Sequence, residues 1–451
     1  SRDWSSDVCS SDLTGGGLSA QPFPRGSRWS GERIRRNRGS CVNTVDQAIK
    51  LVRNWRRHRA VIHPRTAQFM YHWMRGSIEL PYPPLKLHLE PTSVCNLRCP
   101  MCPQAIDAVK GDTGYIDIDL YRKIVDEAAR FTLEINMFFR GEPLLHRRLS
   151  ELLRYGSQKR VRMHVNTNAT MLREREARML VEDGATKVTI SFDGPDKEMY
   201  EKMRKGAKYE VTLENVRNFL TLVKEYRENG RPTPYTVMQV ILPYDATQSG
   251  PTLPSHMRDL LAGLPVDEWD PIWPHGWAGV MQENETVDAQ PYGENYHPCN
   301  WLWKSLAIYW DGRVASCCAD FSADQVIGDL REQSLMEIWN GPQMVALRKL
   351  QVEGRYQEAP LCSGCDAVWT KESSSWNLFN GAEKWIRPSD MPTGRLPGHS
   401  HGAPVVSPIA SDLGPQAVAA VAAARNGFSG PVPVAIPASS GPSSNGRAMP
   451  A

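Results

Sequence analysis

Between residues 83 and 290, short apolar runs alternate with longer stretches in which apolar residues return with the helical period. The runs are Leu85–Leu89, Leu133–Phe139, Met163–Val165, Lys187–Phe192 and Thr236–Leu242. Between them lie Ile118–Phe131, Leu149–Lys159, Leu172–Asp183 and Tyr209–Arg227. This alternation predicts an α/β fold of βα units around a parallel sheet, either open or closed into a partial barrel. Chemistry in such folds gathers at the C-terminal ends of the strands. Farther on, Ala307–Trp310 and Arg313–Ser316 flank Asp311-Gly312, a two-residue hairpin signal. Asp329–Gly341 (DLREQSLMEIWNG) reads as one helix, with Leu335, Ile338 and Trp339 turned inward as core.

The flanks lack this order. Ser1–Leu13 and the following Gly15-Gly16-Gly17 show neither period, and the first methionine is Met70, so residues 1–41 read as a non-native or disordered head. Residues 42–82 read as a basic helical extension, with Ala48, Leu51, Val52 and Trp55 on a stripe among Arg53, Arg56, Arg57, His58 and Arg59. Such a helix either covers the domain behind it or binds anionic lipid or RNA. From Pro388 onward Pro, Gly, Ala and Ser dominate. That leaves too few large apolar groups to offset ordering entropy, so residues 376–451 are expected to form a linker and disordered tail. A net charge of +3 over 451 residues argues against nucleic acid as a partner. The absence of an apolar run of membrane length argues against a spanning helix, and the lack of a charged-then-apolar leader predicts a cytoplasmic protein.

In a chain without an export signal, clustered cysteines read first as metal or redox ligands. Cys9 and Cys41 have no partner at a ligand spacing. Cys95, Cys99 and Cys102 follow the first strand as Cys-x3-Cys-x2-Cys. Four ligands would close a zinc site or saturate a cubane. Three leave one iron open to hold a substrate or cofactor; zinc with a remote fourth ligand is the alternative. Cys299, Cys317, Cys362 and Cys365 form a second set: one before the hairpin, one at its end and two on a Cys-x2-Cys knuckle. Spacing alone admits a structural zinc there. Cys317 and Cys318 are adjacent, and on an extended strand they would face opposite ways, so only one should ligate.

The Cys95–Cys102 loop resembles the defining signature of the radical S-adenosylmethionine (SAM) superfamily. The resemblance implies a partial (β/α)6 barrel over residues 83–290. It also implies a [4Fe–4S] cluster on Cys95, Cys99 and Cys102 whose open iron chelates SAM, and cleavage of SAM to a 5′-deoxyadenosyl radical that abstracts substrate hydrogen. Met101 stands where the family usually has an aromatic residue, a position that packs and offers its backbone to adenine. Arg140-Gly141-Glu142-Pro143 resembles the GGEP motif that contacts the SAM amino group, with Arg140 in place of the first glycine. Asn166, Asn168, Ser191 and Asp193 resemble the ribose-contacting positions, and Arg204 resembles an arginine placed on the SAM carboxylate. Taken singly, the asparagines could be turn formers, Asp193-Gly194 an ordinary turn and Arg204 a surface residue.

The second cysteine set resembles the twitch domain, the short form of the SPASM domain. It implies one auxiliary [4Fe–4S] cluster within residues 291–375, because no cysteine follows Cys365. The family spacing from Gly312 selects Cys317 as ligand, which leaves Cys318 as a buried thiol or a hydrogen-atom donor. A saturated cluster cannot bind substrate through iron, so electron transfer is its expected task. That favours oxidation, such as dehydrogenation of an alcohol, with redox-neutral epimerisation as the nearest variant. The expected substrate is a sugar, aminocyclitol or similar polar metabolite, and the electron source a reductase of flavodoxin or ferredoxin type. A peptide or protein maturase is the alternative, and a non-enzymatic iron–sulfur or zinc scaffold a remote one. Asp245, Glu268, Asp270 and His275 either line the barrel mouth or face solvent. Trp269, Trp273 and Trp277, spaced by four, fit core packing or a sugar platform.

Overall fold

A computed structural model of the chain describes residues 64–106, 112–243, 251–274, 277–278, 295–365 and 367–370. The head, the Ala48–Trp55 stripe, the tail, Cys9, Cys41, Asp245 and His275 lie outside the described residues. Helix α1 (Pro64–Met74) leads into β1 (Lys86–Leu89), α2 (Ile118–Ala128), β2 (Glu134–Asn136), α3 (Leu149–Gln158) and β3 (Arg162–Thr167). Then follow α4 (Glu174–Glu182), β4 (Ala185–Ser191), α5 (Lys197–Met203), α6 (Tyr209–Glu228), β5 (Tyr235–Ile241), α7 (Ser255–Asp259) and β6 (Glu268–Ile272). Strands β1 to β6 pair in parallel and in chain order, the arrangement of a partial (β/α)6 barrel. The sixth strand escapes the hydrophobic pattern because Glu268-Trp269-Asp270-Pro271-Ile272 contains a proline. Among the described residues it is the edge strand, where a missing N–H breaks no interior ladder.

The remaining elements are β7 (Asn295–Tyr296), β8 (Ser305–Ile308), β9 (Arg313–Ala315), β10 (Val326–Asp329), α8 (Leu335–Trp339), α9 (Pro342–Val352) and β11 (Trp369–Thr370). Among the described residues the sheet has nine strands, in the order β10-β9-β8-β1-β2-β3-β4-β5-β6. Strand β8 lies parallel to β1, with Lys86 opposite Ser305 and Leu89 opposite Ile308, so the C-terminal hairpin extends the barrel sheet. The hairpin forms as expected, but its loop is the four residues Tyr309–Gly312. Gly312 N–H donates to the Tyr309 carbonyl at 3.0 Å, and Gly312 takes φ +95°.

The single helix expected over Asp329–Gly341 is not formed. Asp329 ends β10, and Ser334 and Glu337 make a reciprocal capping box that starts a helix only at Leu335. Leu335, Ile338 and Trp339 are buried, as the sequence predicts.

The sheet has two unlike faces. Leu87, Ile135, Met163, Val165, Val188, Ile190 and Val240 are buried in one core with Leu152 and Leu153 of α3, Leu180 of α4 and Phe219 of α6. Strand side chains alternate, so Lys86, His88, Glu134, Asn136, Arg162, His164 and Asn166 share the inner face, turned away from those helices. No helix among the described residues is long and apolar enough to cross a membrane.

Candidate active site

The three-cysteine loop leaves β1 and is held by backbone on two sides. Glu142 N–H donates to the Val94 carbonyl at 2.9 Å, and Arg98 N–H to the Lys205 carbonyl at 3.0 Å. Gly141 takes φ +66°, and a Cβ there would sit 2.2 Å from the Thr92 carbonyl oxygen, so no other residue fits this approach. Burial pushes the thiol of Cys95 up to about 11 and that of Cys102 up to about 12, and raises Cys99 as well. Such thiols ionise only with a compensating cation or metal centre. Arg204 brings a guanidinium nitrogen to 3.9 Å from the Cys99 sulfur. Among the described residues, no three His, Cys, Asp or Glu side chains converge tightly enough to share one metal ion. Tetrahedral zinc, with Zn–S of about 2.3 Å, would draw its sulfurs to about 3.8 Å apart. In a cubane each thiolate takes its own iron, which spaces the ligands more widely. Three soft sulfurs on one loop beside a buried cation fit such a cluster.

Arg204 follows α5 and pairs with Asp193 at 2.5 Å. Asp193 is fully buried, and its other oxygen accepts from Ile241 N–H at 2.8 Å. The residue expected at the ribose therefore orients Arg204. The Arg204 Nε is buried without a hydrogen-bond partner among the described residues, a donor free for an anionic ligand group. Glu142 is likewise buried. Its Oε1 accepts from Thr167 Oγ1 at 2.7 Å and from Leu144 N–H at 3.1 Å, and its Oε2 accepts from Asn168 N–H at 2.8 Å. The carboxylate thus fixes the turn after β3, and Pro143 opens the short turn that follows. Asn166 Oδ1 accepts from Ser191 Oγ at 2.9 Å across neighbouring strand ends, a paired set of polar groups suited to a diol. Asn168 Nδ2 donates to Asn96 Oδ1 at 3.1 Å and so ties this turn to the cysteine loop. Met101 is buried, and its carbonyl accepts from Trp277 Nε1 at 2.9 Å. Trp277 also packs edge-on against Phe321 at 4.7 Å, whereas Trp269 lies on β6, so the tryptophans do not form one helical stripe.

The second cysteine set gathers at the open end of the hairpin, with Cys299 ahead of β8 and Cys317 beyond β9. Cys299 and Cys362 pack on Tyr296, Tyr356 and Val368, and Cys299 N–H donates to Gln351 Oε1 at 3.0 Å. Cys365 N–H closes onto the Cys362 carbonyl at 3.1 Å. Burial pushes the Cys299 thiol up to about 12, with the Cys317 thiolate adding to it. Burial also raises Cys362, reinforced by Cys299, Cys317 and Cys365. The other three sulfurs of the set therefore lie within electrostatic reach of Cys362, and the donor chemistry of the four fits an iron–sulfur cluster. The opposed arrangement expected for Cys317 and Cys318 is not found. Strand β9 ends at Ala315, the pair sits in the turn beyond, and Ala319 N–H donates to the Cys317 sulfur at 3.4 Å. Cys318 packs against the buried cluster of Ala307, Tyr309 and Ala315.

The inner face carries polar residues that the sequence reading did not single out. Asn136 Nδ2 donates to His88 Nδ1 at 3.3 Å, and His164 Nδ1 donates to Asn136 Oδ1 at 3.1 Å. Thr189 Oγ1 completes the row at 2.8 Å from His164 Nε2. Burial holds both imidazoles down to about 3, and His88 Nε2 is buried without a partner among the described residues. Beside this row Gln239 donates to Asp270 at 3.0 Å, and Tyr235 to Glu268 at 3.2 Å, placing both acids on the inner face. The signal for His88 was its place between Leu87 and Leu89, a polar residue alternating with apolar ones in a strand buried on both faces.

Residues 89–241 match the radical SAM superfamily, and residues 299–366 match the SPASM iron–sulfur cluster-binding domain. The chain thus carries a radical SAM domain followed by a C-terminal SPASM-type domain. These domains imply a SAM-binding [4Fe–4S] cluster, SAM and auxiliary iron–sulfur binding. Similar proteins include the tungsten-containing aldehyde ferredoxin oxidoreductase cofactor-modifying protein of Pyrococcus furiosus, 26% identical over 64% of this chain and 91% of that one. The S-adenosyl-L-methionine-dependent 2-deoxy-scyllo-inosamine dehydrogenase of Niallia circulans is 22% identical over 65% of this chain and 97% of that one. Among solved structures, Streptococcus suis SuiB bound to precursor peptide SuiA shares the fold, with a TM-score of 0.50 and 14% identity over 80% of this chain and 83% of that one.

Proposed function

We propose that this enzyme abstracts hydrogen from a small polar substrate of the sugar or aminocyclitol class and oxidises it, with epimerisation as the redox-neutral variant. Cys95, Cys99 and Cys102 hold the SAM cluster, and Cys299, Cys317, Cys362 and Cys365 hold one auxiliary [4Fe–4S] cluster. When bound, these groups supply the hydrogen-abstracting carbon radical and a one-electron acceptor. Arg204, aligned by Asp193, offers its free Nε to the SAM carboxylate. Gly141 and Glu142 shape the edge that meets the amino group, with Asn166 and Ser191 at the ribose. The uncharged row His88, Asn136, His164 and Thr189 lines the inner face with groups that pair with hydroxyls and amines. A flavodoxin- or ferredoxin-type reductase supplies the electrons.

The observation that carries this reading is the coexistence in one chain of a three-thiol loop and a separate four-thiol set. The first leaves an iron open to SAM, and the second is complete in itself. The likeness to an aminocyclitol dehydrogenase points the same way.

Anaerobic incubation of the reconstituted enzyme with SAM, dithionite and a panel of carbon-deuterated sugars and aminocyclitols tests it. Deuterium should appear in 5′-deoxyadenosine with one of them. Transfer only from a deuterated peptide would replace this reading with that of a maturase. A second expectation separates the adjacent thiols. Cys317→Ala should lose about four irons per chain while Cys318→Ala keeps them, as iron and sulfide analysis would show. Equal losses would mean that the cluster uses both positions.

A further inference from the structure

We infer that Arg140 and Glu90 form a positioning pair that locks the segment beyond Cys317 and Cys318 to the strand presenting the SAM-cluster loop; this rests on the auxiliary cluster proposed above. Arg140 replaces the first glycine of the SAM-contacting motif, and the structure gives its side chain a different task. Arg140 and Glu90 are 2% and 0% exposed. Arg140 Nε and Nη2 donate to the two Glu90 carboxylate oxygens at 2.7 and 2.9 Å, a bidentate fork. Its Nη1 donates to the Phe321 carbonyl at 2.9 Å, and its guanidinium lies 4.5 Å from the centre of the Tyr309 ring. Glu90 Oε2 also accepts from Trp310 N–H at 3.0 Å, and the Tyr309 hydroxyl donates to the Asp320 carbonyl at 2.6 Å.

One ion pair therefore joins the ends of β1 and β2, the hairpin loop and the Asp320–Phe321 segment. The cysteine loop leaves the β1 side of this knot, and Cys317 and Cys318 enter the other. A glycine at 140 would supply none of these bonds and would leave the Glu90 carboxylate buried without its cation. The fork also explains why lysine would not substitute: a single ammonium cannot hold both carboxylate oxygens and the Phe321 carbonyl in one plane.

The test uses the full chain, anaerobically reconstituted. Arg140→Met combined with Glu90→Gln removes both charges at similar volume, and Arg140→Lys keeps the charge without the fork. Amide hydrogen exchange over residues 309–321 should accelerate at least about tenfold in the double variant and by less in the lysine variant, while β3 to β5 keep their protection. The auxiliary-cluster signal in electron paramagnetic resonance should broaden and its reduction potential should move. Unchanged exchange and signal would overturn the inference, as would acceleration spread evenly through the sheet in either variant. Wild-type enzyme holding only about four irons would instead remove the auxiliary cluster, and the exchange comparison would still judge the pair.

Discussion

Replacing Cys95, Cys99 and Cys102 together by alanine should abolish 5′-deoxyadenosine formation and remove about four of roughly eight irons per reconstituted chain. The effect is expected to be complete because no nearby side chain can stand in. Among the described residues, the acids that act on these thiols are Asp193, paired with Arg204, and Glu142, whose two oxygens accept three hydrogen bonds. Neither is a soft ligand. The fold should survive, since backbone bonds from Glu142 to Val94 and from Arg98 to Lys205 hold the loop independently of the thiols. Circular dichroism should therefore match wild type. The complementary variant, with alanine at Cys299, Cys317, Cys362 and Cys365, should lose the other four irons. Deoxyadenosine formation by the triple variant, or an undiminished iron content, would refute the assignment of this loop.

The parts of this architecture legible in sequence were those written in apolar periodicity. Strands β1 to β5 and helices α2, α3, α4 and α6 fall where alternation and helical period place them, because each buries one face against the same core. Strand β6 was illegible because an edge strand needs neither strict alternation nor a complete ladder, and Pro271 hides it. The helix expected over Asp329–Gly341 failed for a local reason. Asp329 grips Arg331 in a turn, and the capping pair Ser334-x-x-Glu337 starts the helix only at Leu335. The cysteine sets were legible as ligand spacings, but the relation of Cys317 to Cys318 was not, since it depends on where β9 stops. Least legible was the division of labour around the loop. Asp193 and Glu142 resemble ligand contacts in sequence, and only the fold shows that they also orient Arg204 and the Thr167–Asn168 turn. Only three-dimensional placement shows that Arg140, a departure from its motif, is fully used in joining two modules.

Acidification from pH 7 to pH 5 should destabilise the protein by about 4 kcal/mol through His88 and His164 alone. Both rings sit on the inner face and are held down to about 3 by burial, with Lys86 and Lys304 opposing protonation of His88 and Lys187 that of His164, while Glu134 favours it in both. The sign follows from proton counting. Between the unfolded value near 6.5 and the folded value near 3 the unfolded chain binds more protons, so stability falls as pH falls through that window. Each imidazole then costs about 2 kcal/mol by pH 5 and more below it. Against a typical total stability of about 5–15 kcal/mol, that is a large fraction. Glu134 adds a later loss. Burial raises its carboxyl, but Lys86, His164 and Arg162 together hold it down to about 2, so its contribution disappears only between about pH 4.5 and 2. Anaerobic urea titrations at pH 7, 6 and 5 should show the unfolding free energy dropping steadily. His88→Gln combined with His164→Gln, which keeps side chains able to hydrogen-bond with Asn136, should remove about 4 kcal/mol of that drop. An identical pH slope in the variant would show that these two imidazoles are not the groups that acid must charge to unfold the barrel.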